Sequence, residues 1–258
     1  MDTTEHPVEL AIVDDVAHLR LNRPRSLNAV SAQLVGALVE ALAEAIEHEP
    51  HALVLAGNGR AFCAGQDLKE IPPPSTDPQA RRRLLEQAEE ITRLVRRAPF
   101  PVIAAVHGYA MGAGCEIALM CDLVIADETA VFAFPEVGVA QAVGQGISHR
   151  LPATVGPVRA KELLLFGTRF GADRALQLGL INEVTPPGQH LLRAEELAAT
   201  LATLPPLAVR LAKQSVDAGA DGTLDDALAL ETEHLMRVHD DPAMQSAAAR
   251  FTDRNPPR

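Results

Sequence analysis

The sequence predicts an α/β fold, and three observations predict it. Short apolar runs alternate with amphipathic helical segments from residue 8 to about residue 156. Two of those runs, ALVLA at 52–56 and VIAAV at 102–106, carry no polar residue, as strands covered on both faces do. The last third is helical in pattern almost throughout. Alternation of this kind implies parallel pairing through right-handed crossovers.

The elements follow in order. Residues 8–21, VELAIVDDVAHLRL, alternate apolar and polar on either side of Asp14 and Asp15, which predicts a β-hairpin with a tight turn. Ser31 is the expected N-cap of a helix whose apolar face is Leu34, Leu38, Leu42, Ala45 and Ile46, ending near Pro50. ALVLA is the next strand, closed by Gly57 and Gly59 and followed by the loop AFCAGQDLKE. IPPPSTDP at 71–78 interrupts the pattern, and a helix from Gln79 to Arg97 is stopped by Pro99 and Pro101. Then come a strand at 102–106, a helix beginning near Gly112 and a strand around 121–126. Beyond residue 156, VRAKELLLFG, ADRALQLG, 190–203, 206–218 and a last pair after Gly222 read as helices, with INEV at 181–184 as the single expected strand. The chain shows no internal repeat, and RNPPR is its only low-complexity tail. Leucine and alanine in these helices call for a partner surface, so self-association is expected.

Composition narrows the function. With 258 residues and 47% hydrophobic content the chain can bury a large core. No apolar run reaches the roughly 18 residues of a membrane span, and MDTTEHPVEL has no signal-peptide pattern, so the expected location is cytoplasmic and away from the membrane. Cys63, Cys115 and Cys121 lack disulfide or metal-type spacing, so neither disulfides nor a metal is expected. A formal charge of −11 argues against a nucleic-acid partner. Arg23, Arg25, Lys69 and the run Arg81, Arg82, Arg83 could still meet one small anionic group, although the triple-arginine run reads first as a solvated helix face.

Two loops carry the chemistry, 63–69 and 107–116, each after a buried strand. In an α/β sheet the carboxyl ends of strands gather ligands, so both loops should face one crevice. Gly65, Gly108, Gly112 and Gly114 would let backbone approach a ligand, and a helix starting after Gly112 would aim free N–H groups at developing negative charge. Cys63 and Cys115 have no histidine and acid to activate them, and His107 is expected to pack at a strand end.

LNRPRSLNAVS, AFCAGQDLKE, PVIAAVHGYAMGAGCEIALMCDLVIADETAVFAFPEVGV and RAKELLLFGTRFGADRALQLGLINEV follow one another as in enoyl-CoA hydratases, and the chain resembles the crotonase superfamily from about residue 8 to 185. The resemblance implies a crotonase-like spiral of ββα units over residues 1–185 and a helical trimerisation region over 186–258, assembled as trimers or hexamers. It implies an acyl-CoA substrate, with coenzyme A as part of that substrate and no separate cofactor. It puts the oxyanion-hole N–H groups on Gln66 and Ala113. The two catalytic glutamates fall on Glu116, which would activate water, and Glu136, which would protonate Cα. Arg25, Ala64, Gln66, Asp67, Leu68, Lys69, Gly112 and Gly144 fall at substrate and coenzyme A positions.

One stretch departs from the family pattern. VGVAQAVGQGISHRL after Glu136 keeps Gly144 and Gly146 but has Val143, Gln145, Ile147 and His149 where relatives read differently. Three readings therefore stay open: hydration of a trans-2-enoyl-CoA, isomerisation by Glu136 alone, and acyl-CoA binding without turnover.

Overall fold

The computed structural model describes residues 6–71, 73 and 75–246. RNPPR, Pro72 and Pro74 lie outside the described residues. Val8–Val13 (β1) and Val16–Leu21 (β2) form the expected antiparallel hairpin. Asp14 and Asp15 take φ of 50° and 61°, the left-handed pair that a two-residue turn needs and that aspartate tolerates. Ser31 accepts a hydrogen bond from Leu34 N and starts Ala32–His48 (α1), which buries Leu34, Leu38, Leu42 and Ala45. Ala52–Gly57 (β3) is buried at every position. Asp77 caps Pro78–Arg97 (α2), and Pro78 in the first turn loses no helical bond.

Val102–Val106 (β4) lies in a six-stranded sheet, whereas Tyr109–Met111 (β5) passes into a second sheet before Ala113–Met120 (α3) returns. This is one ββα turn of the expected spiral. Leu123–Asp127 (β6) and Val131–Ala133 (β7) repeat the step, one strand to each sheet. The chain continues through a 3-10 turn at Glu136–Val139 to Ile147–Val155 (α4) and Pro157–Phe166 (α5). Phe170–Gly171 (β8), Ala172–Gln177 (α6) and Glu183–Thr185 (β9) follow, then His190–Ala202 (α7), Pro206–Asp221 (α8) and Leu224–His239 (α9). The large sheet runs β1-β2-β3-β4-β6-β9, all parallel after the hairpin, and the small one runs β5-β7-β8.

Two expectations need correction. INEV is not the only late strand, because Phe170–Gly171 pairs antiparallel with β7. The loop 107–116 contains a strand, β5, and the whole small sheet has no counterpart among the predicted strands. Its strands span two or three residues each, too short to carry a period.

The chain divides into two compact units, Met1–Thr200 and Leu201–Arg258. The expected division after 185 falls earlier than this one, because α7 buries His190, Ala194 and Ala198 and so belongs largely to the first unit. In the second unit α8 and α9 pack together, with Leu211 buried and Ser215 Oγ 2.8 Å from His234 Nδ1. Thr223 and Asp226 form a capping box at the start of α9. No helix among the described residues is long and apolar enough to cross a membrane.

Candidate active site

The two glycine-bearing loops lie side by side. Cys63 N donates to Tyr109 O at 2.9 Å and Met111 N to Cys63 O at 3.0 Å, so the first loop runs parallel to β5. Packing there is tight: a Cβ on Gly114 would sit 2.3 Å from Cys63 O, and one on Gly65 2.6 Å from Met111 O. Only glycine fits either place without moving backbone, and Gly65 also takes φ of +92°.

Asn28, fully buried, ties down the start of the first loop. Its Nδ2 donates to the carbonyls of Asn58, Ala61 and Phe62, and its Oδ1 accepts from Arg23 N at 2.8 Å. Asn28 lies in the motif LNRPRSLNAVS, whose resemblance assigns it no role. A signal was available: asparagine tolerates the left-handed backbone, and here φ is 56°.

On the other side of the first loop, Val30 N donates to Gly65 O and Asp67 N to Val30 O. Consecutive N–H groups of an extended segment point to opposite sides, so the Gln66 N–H turns away from Val30. Ala113 is the first residue of α3, where an N–H has no partner within the helix. Neither the Gln66 nor the Ala113 N–H is taken by an acceptor among the described residues. Both residues line a cleft of about 510 Å³.

Glu116 and Glu136 line the same cleft, 3% and 8% exposed. Glu116 projects from α3 and its Oε1 accepts from Gly144 N at 2.8 Å. Burial pushes its pKa up to about 7 against the opposing Gly144 bond, and the neighbouring Glu136 charge raises it further. Glu136 starts the 3-10 turn after β7 and is likewise raised by burial, with a backbone hydrogen bond acting against it. Its Oε2 is buried without a hydrogen-bond partner among the described residues. The close approach of Gly112, whose added Cβ would lie 2.9 Å from Glu136 Oε1, keeps this carboxylate against the start of α3.

Ala64, Gln66, Asp67, Leu68, Gly112, Ala113 and Gly144 all border the cleft. Arg25 and Lys69 do not border it: both are exposed on short 3-10 turns. Asp67 is held by Arg23 at 3.2 Å. The triple-arginine reading needs correction, because Arg82 and Arg83 are exposed whereas Arg81 lines the cleft. In the divergent stretch, Gln145 is buried with its Oε1 accepting from Thr92 Oγ1 at 3.0 Å, and Gln141 borders the cleft. His149 is exposed and outside the cleft lining.

All three cysteines are buried, and burial lifts Cys63 to about 12 and Cys115 well above its ordinary value. Neither is a thiolate at neutral pH. His107 packs as expected, its ring stacked on His190 at 4.5 Å and its Nε2 2.9 Å from Gly59 O. Among the described residues no group of three or more His, Cys, Asp or Glu could hold a metal ion.

The sequence profile of the enoyl-CoA hydratase/isomerase family matches residues 12–258. A short-chain-enoyl-CoA hydratase from Clostridium acetobutylicum is 37% identical over 221 residues, 84% of each chain. A crotonyl-CoA hydratase from Syntrophomonas wolfei is 34% identical over 223 residues, 85% of each chain. The crystal structure of an enoyl-CoA hydratase from Bacillus anthracis superposes with a TM-score of 0.89 at 32% identity, covering 98% of both chains.

Proposed function

The chain belongs to the enoyl-CoA hydratase/isomerase family, and on that premise we propose that it adds water reversibly across the trans-2 double bond of an enoyl-CoA thioester. The observation that carries the reading is the pair of buried carboxylates, Glu116 and Glu136, in the cleft that the unengaged Gln66 and Ala113 N–H groups also border.

As water attacks Cβ, negative charge moves onto the thioester oxygen. Two fixed main-chain donors in a desolvated cleft stabilise that charge more than they stabilise the ground-state carbonyl. Losing one comparable donor in other enzymes costs about 3 kcal/mol. Coenzyme A enters as part of the substrate.

The proton inventory fits the same step. Mutual repulsion and burial favour a pair that shares one proton. With the proton on Glu136, ionised Glu116 accepts a proton from water and Glu136 protonates Cα, which is hydration. With the proton on Glu116, ionised Glu136 takes the Cα proton and Glu116 protonates the leaving hydroxyl, which is dehydration. One protonation level therefore serves both directions.

The test is loss of the conjugated thioester's ultraviolet absorbance when crotonyl-CoA is added. Glu116→Gln and Glu136→Gln should each lower kcat by about 10²- to 10⁴-fold with the fold intact by circular dichroism. Absence of turnover by the wild-type protein at every acyl length would reject hydration.

Isomerisation is the second reading, favoured by the unpartnered Glu136 Oε2, which could carry one proton between two carbons unaided. Under that reading Glu116→Gln keeps its activity on a 3-enoyl-CoA. The proposal also includes self-association as a trimer or hexamer, supported by exposed leucines on α9, and a cytoplasmic location, which three free cysteines suit.

A further inference from the structure

Among the described residues Arg81 is the one arginine or lysine that lines the cleft. The acidic residues around it are spoken for or remote: Asp67 is paired with Arg23, Glu70 accepts from Ala32 N, and Glu116 and Glu136 form the reactive pair. Nor does its own helix offer a partner. The residues three and four positions on are Leu84 and Leu85, whereas Arg82 has Glu86 at that spacing, and Glu89 is paired with Arg93. Asp77, four positions back, caps the helix through Ala80 N. Arg81 Nε is buried and has no hydrogen-bond partner among the described residues. A guanidinium desolvated at one nitrogen and left unpaired costs free energy unless something in use of the cleft satisfies it.

The place of Arg81 along α2 says what that something carries. Thr92 on the same helix bonds Gln145, next to the Gly144 that holds Glu116, so Thr92 marks the level of the reactive pair. From Thr92 to Arg81 the helical rise is about 16 Å. Between them Leu84, Leu85 and Ala88 line the cleft with a single polar neighbour, Gln87, so the wall there is mainly apolar. Such a wall suits methylenes rather than the amides of a pantetheine arm, whose polar groups would go unpaired there.

Building on the hydratase reading, we infer that Arg81 is a specificity-determining residue that binds a carboxylate at the far end of the acyl chain, so that the preferred substrates include monothioesters of medium-length dicarboxylic acids. Its planar fork matches a carboxylate with two parallel hydrogen bonds.

The experiment compares trans-2-enoyl-CoA thioesters of equal chain length, with and without a terminal carboxyl, on the wild-type protein, Arg81→Met and Arg81→Lys. The ratio of kcat/KM values, carboxylated over plain, should exceed about 10 in the wild type. It should fall toward one in Arg81→Met and be partly restored in Arg81→Lys. Calorimetric binding of the corresponding saturated acyl-CoA pair should show the same ratios without any turnover. Loss of turnover with those binding ratios intact would thus reject hydration and leave the Arg81 assignment standing. A ratio that Arg81→Met leaves unchanged overturns the assignment. So does an equal loss on plain and carboxylated coenzyme A thioesters that disappears with pantetheine thioesters, which would put a nucleotide phosphate on Arg81 instead.

Discussion

At the residue scale the candidate catalytic pair, Glu116 and Glu136, is set by burial. Glu116 has an ordinary value of 4.5 and is lifted to about 7, and Glu136 is raised in the same direction. The proposed hydration requires one proton on the pair, so activity should fall at low pH, where both carboxyls are protonated, and at high pH, where both are ionised. The acid limb of kcat/KM should lie well above the ordinary carboxylate range, and a profile flat from pH 5 to 9 would remove the pair from the mechanism. Burial also has a stability consequence, whose sign follows from linkage. Glu116 binds its proton more tightly folded than unfolded, so its contribution is fully present below pH 4.5 and is lost as pH rises through about 7. Above that pH the wild-type fold carries a buried ionised carboxylate. Glu116→Gln keeps an oxygen for Gly144 N and removes the charge, so it should raise stability at pH 8 by up to about 3 kcal/mol and change it little at pH 4. Urea denaturation at both pH values measures this, and equal effects at the two would show that the charge is not the cause. The sequence resemblance pointed to both glutamates, and both line the cleft. The bond from Gly144 to Glu116 was not legible, since it joins residues brought together only by the folded loop. Arg81 was misread with its neighbours because adjacent positions on a helix face different directions, and composition alone does not say which faces the cleft.

At the element scale the two short loops matter more than the strands that deliver them. The large sheet was readable because its strands are apolar runs or an alternating hairpin, and the helices because their faces repeat. The small sheet was not, because strands of two or three residues exist only through partners distant in sequence, such as Tyr109 with Val131. Yet that sheet positions the site: β5 runs directly into α3, and its pairing with the first loop sets where Gln66 and Ala113 lie. Gly114, in the first turn of α3, packs tightly against the first loop, since an added Cβ would meet Cys63 O at 2.3 Å and Cys63 Cβ at 2.7 Å. Gly114→Ala should therefore force the loops apart, destabilising the protein by about 1–3 kcal/mol and lowering kcat/KM. Gly138→Ala is the matched control, as nothing lies within 4 Å of its added Cβ. Chemical denaturation and turnover of both variants check this, and a Gly114→Ala protein indistinguishable from the control would mean the loops are not held by close packing.

At the scale of the whole molecule, a core of aliphatic and phenylalanine side chains coexists with apolar side chains exposed on α9. Leu224, Leu228 and Leu235 are 74%, 51% and 60% exposed, and their spacing of four and seven places them along one stripe of α9. Isolated exposed leucines are ordinary on any protein surface, but a stripe at helical spacing is what an association surface looks like. The sequence pointed to partner-seeking leucines, and the structure identifies which of them remain uncovered within one chain. Burying three such side chains contributes about 2 kcal/mol each, enough for a stable assembly at micromolar concentration when repeated around a symmetry axis. The protein should accordingly sediment as a trimer or hexamer. Leu228→Glu with Leu235→Glu places charges where the stripe would be dry, and should shift it toward monomer while the far-ultraviolet circular dichroism stays helical. Sedimentation velocity across a hundredfold concentration range decides the matter: a wild-type monomer throughout, or a double variant that assembles as the wild type does, would mean that this face of α9 is not where copies meet.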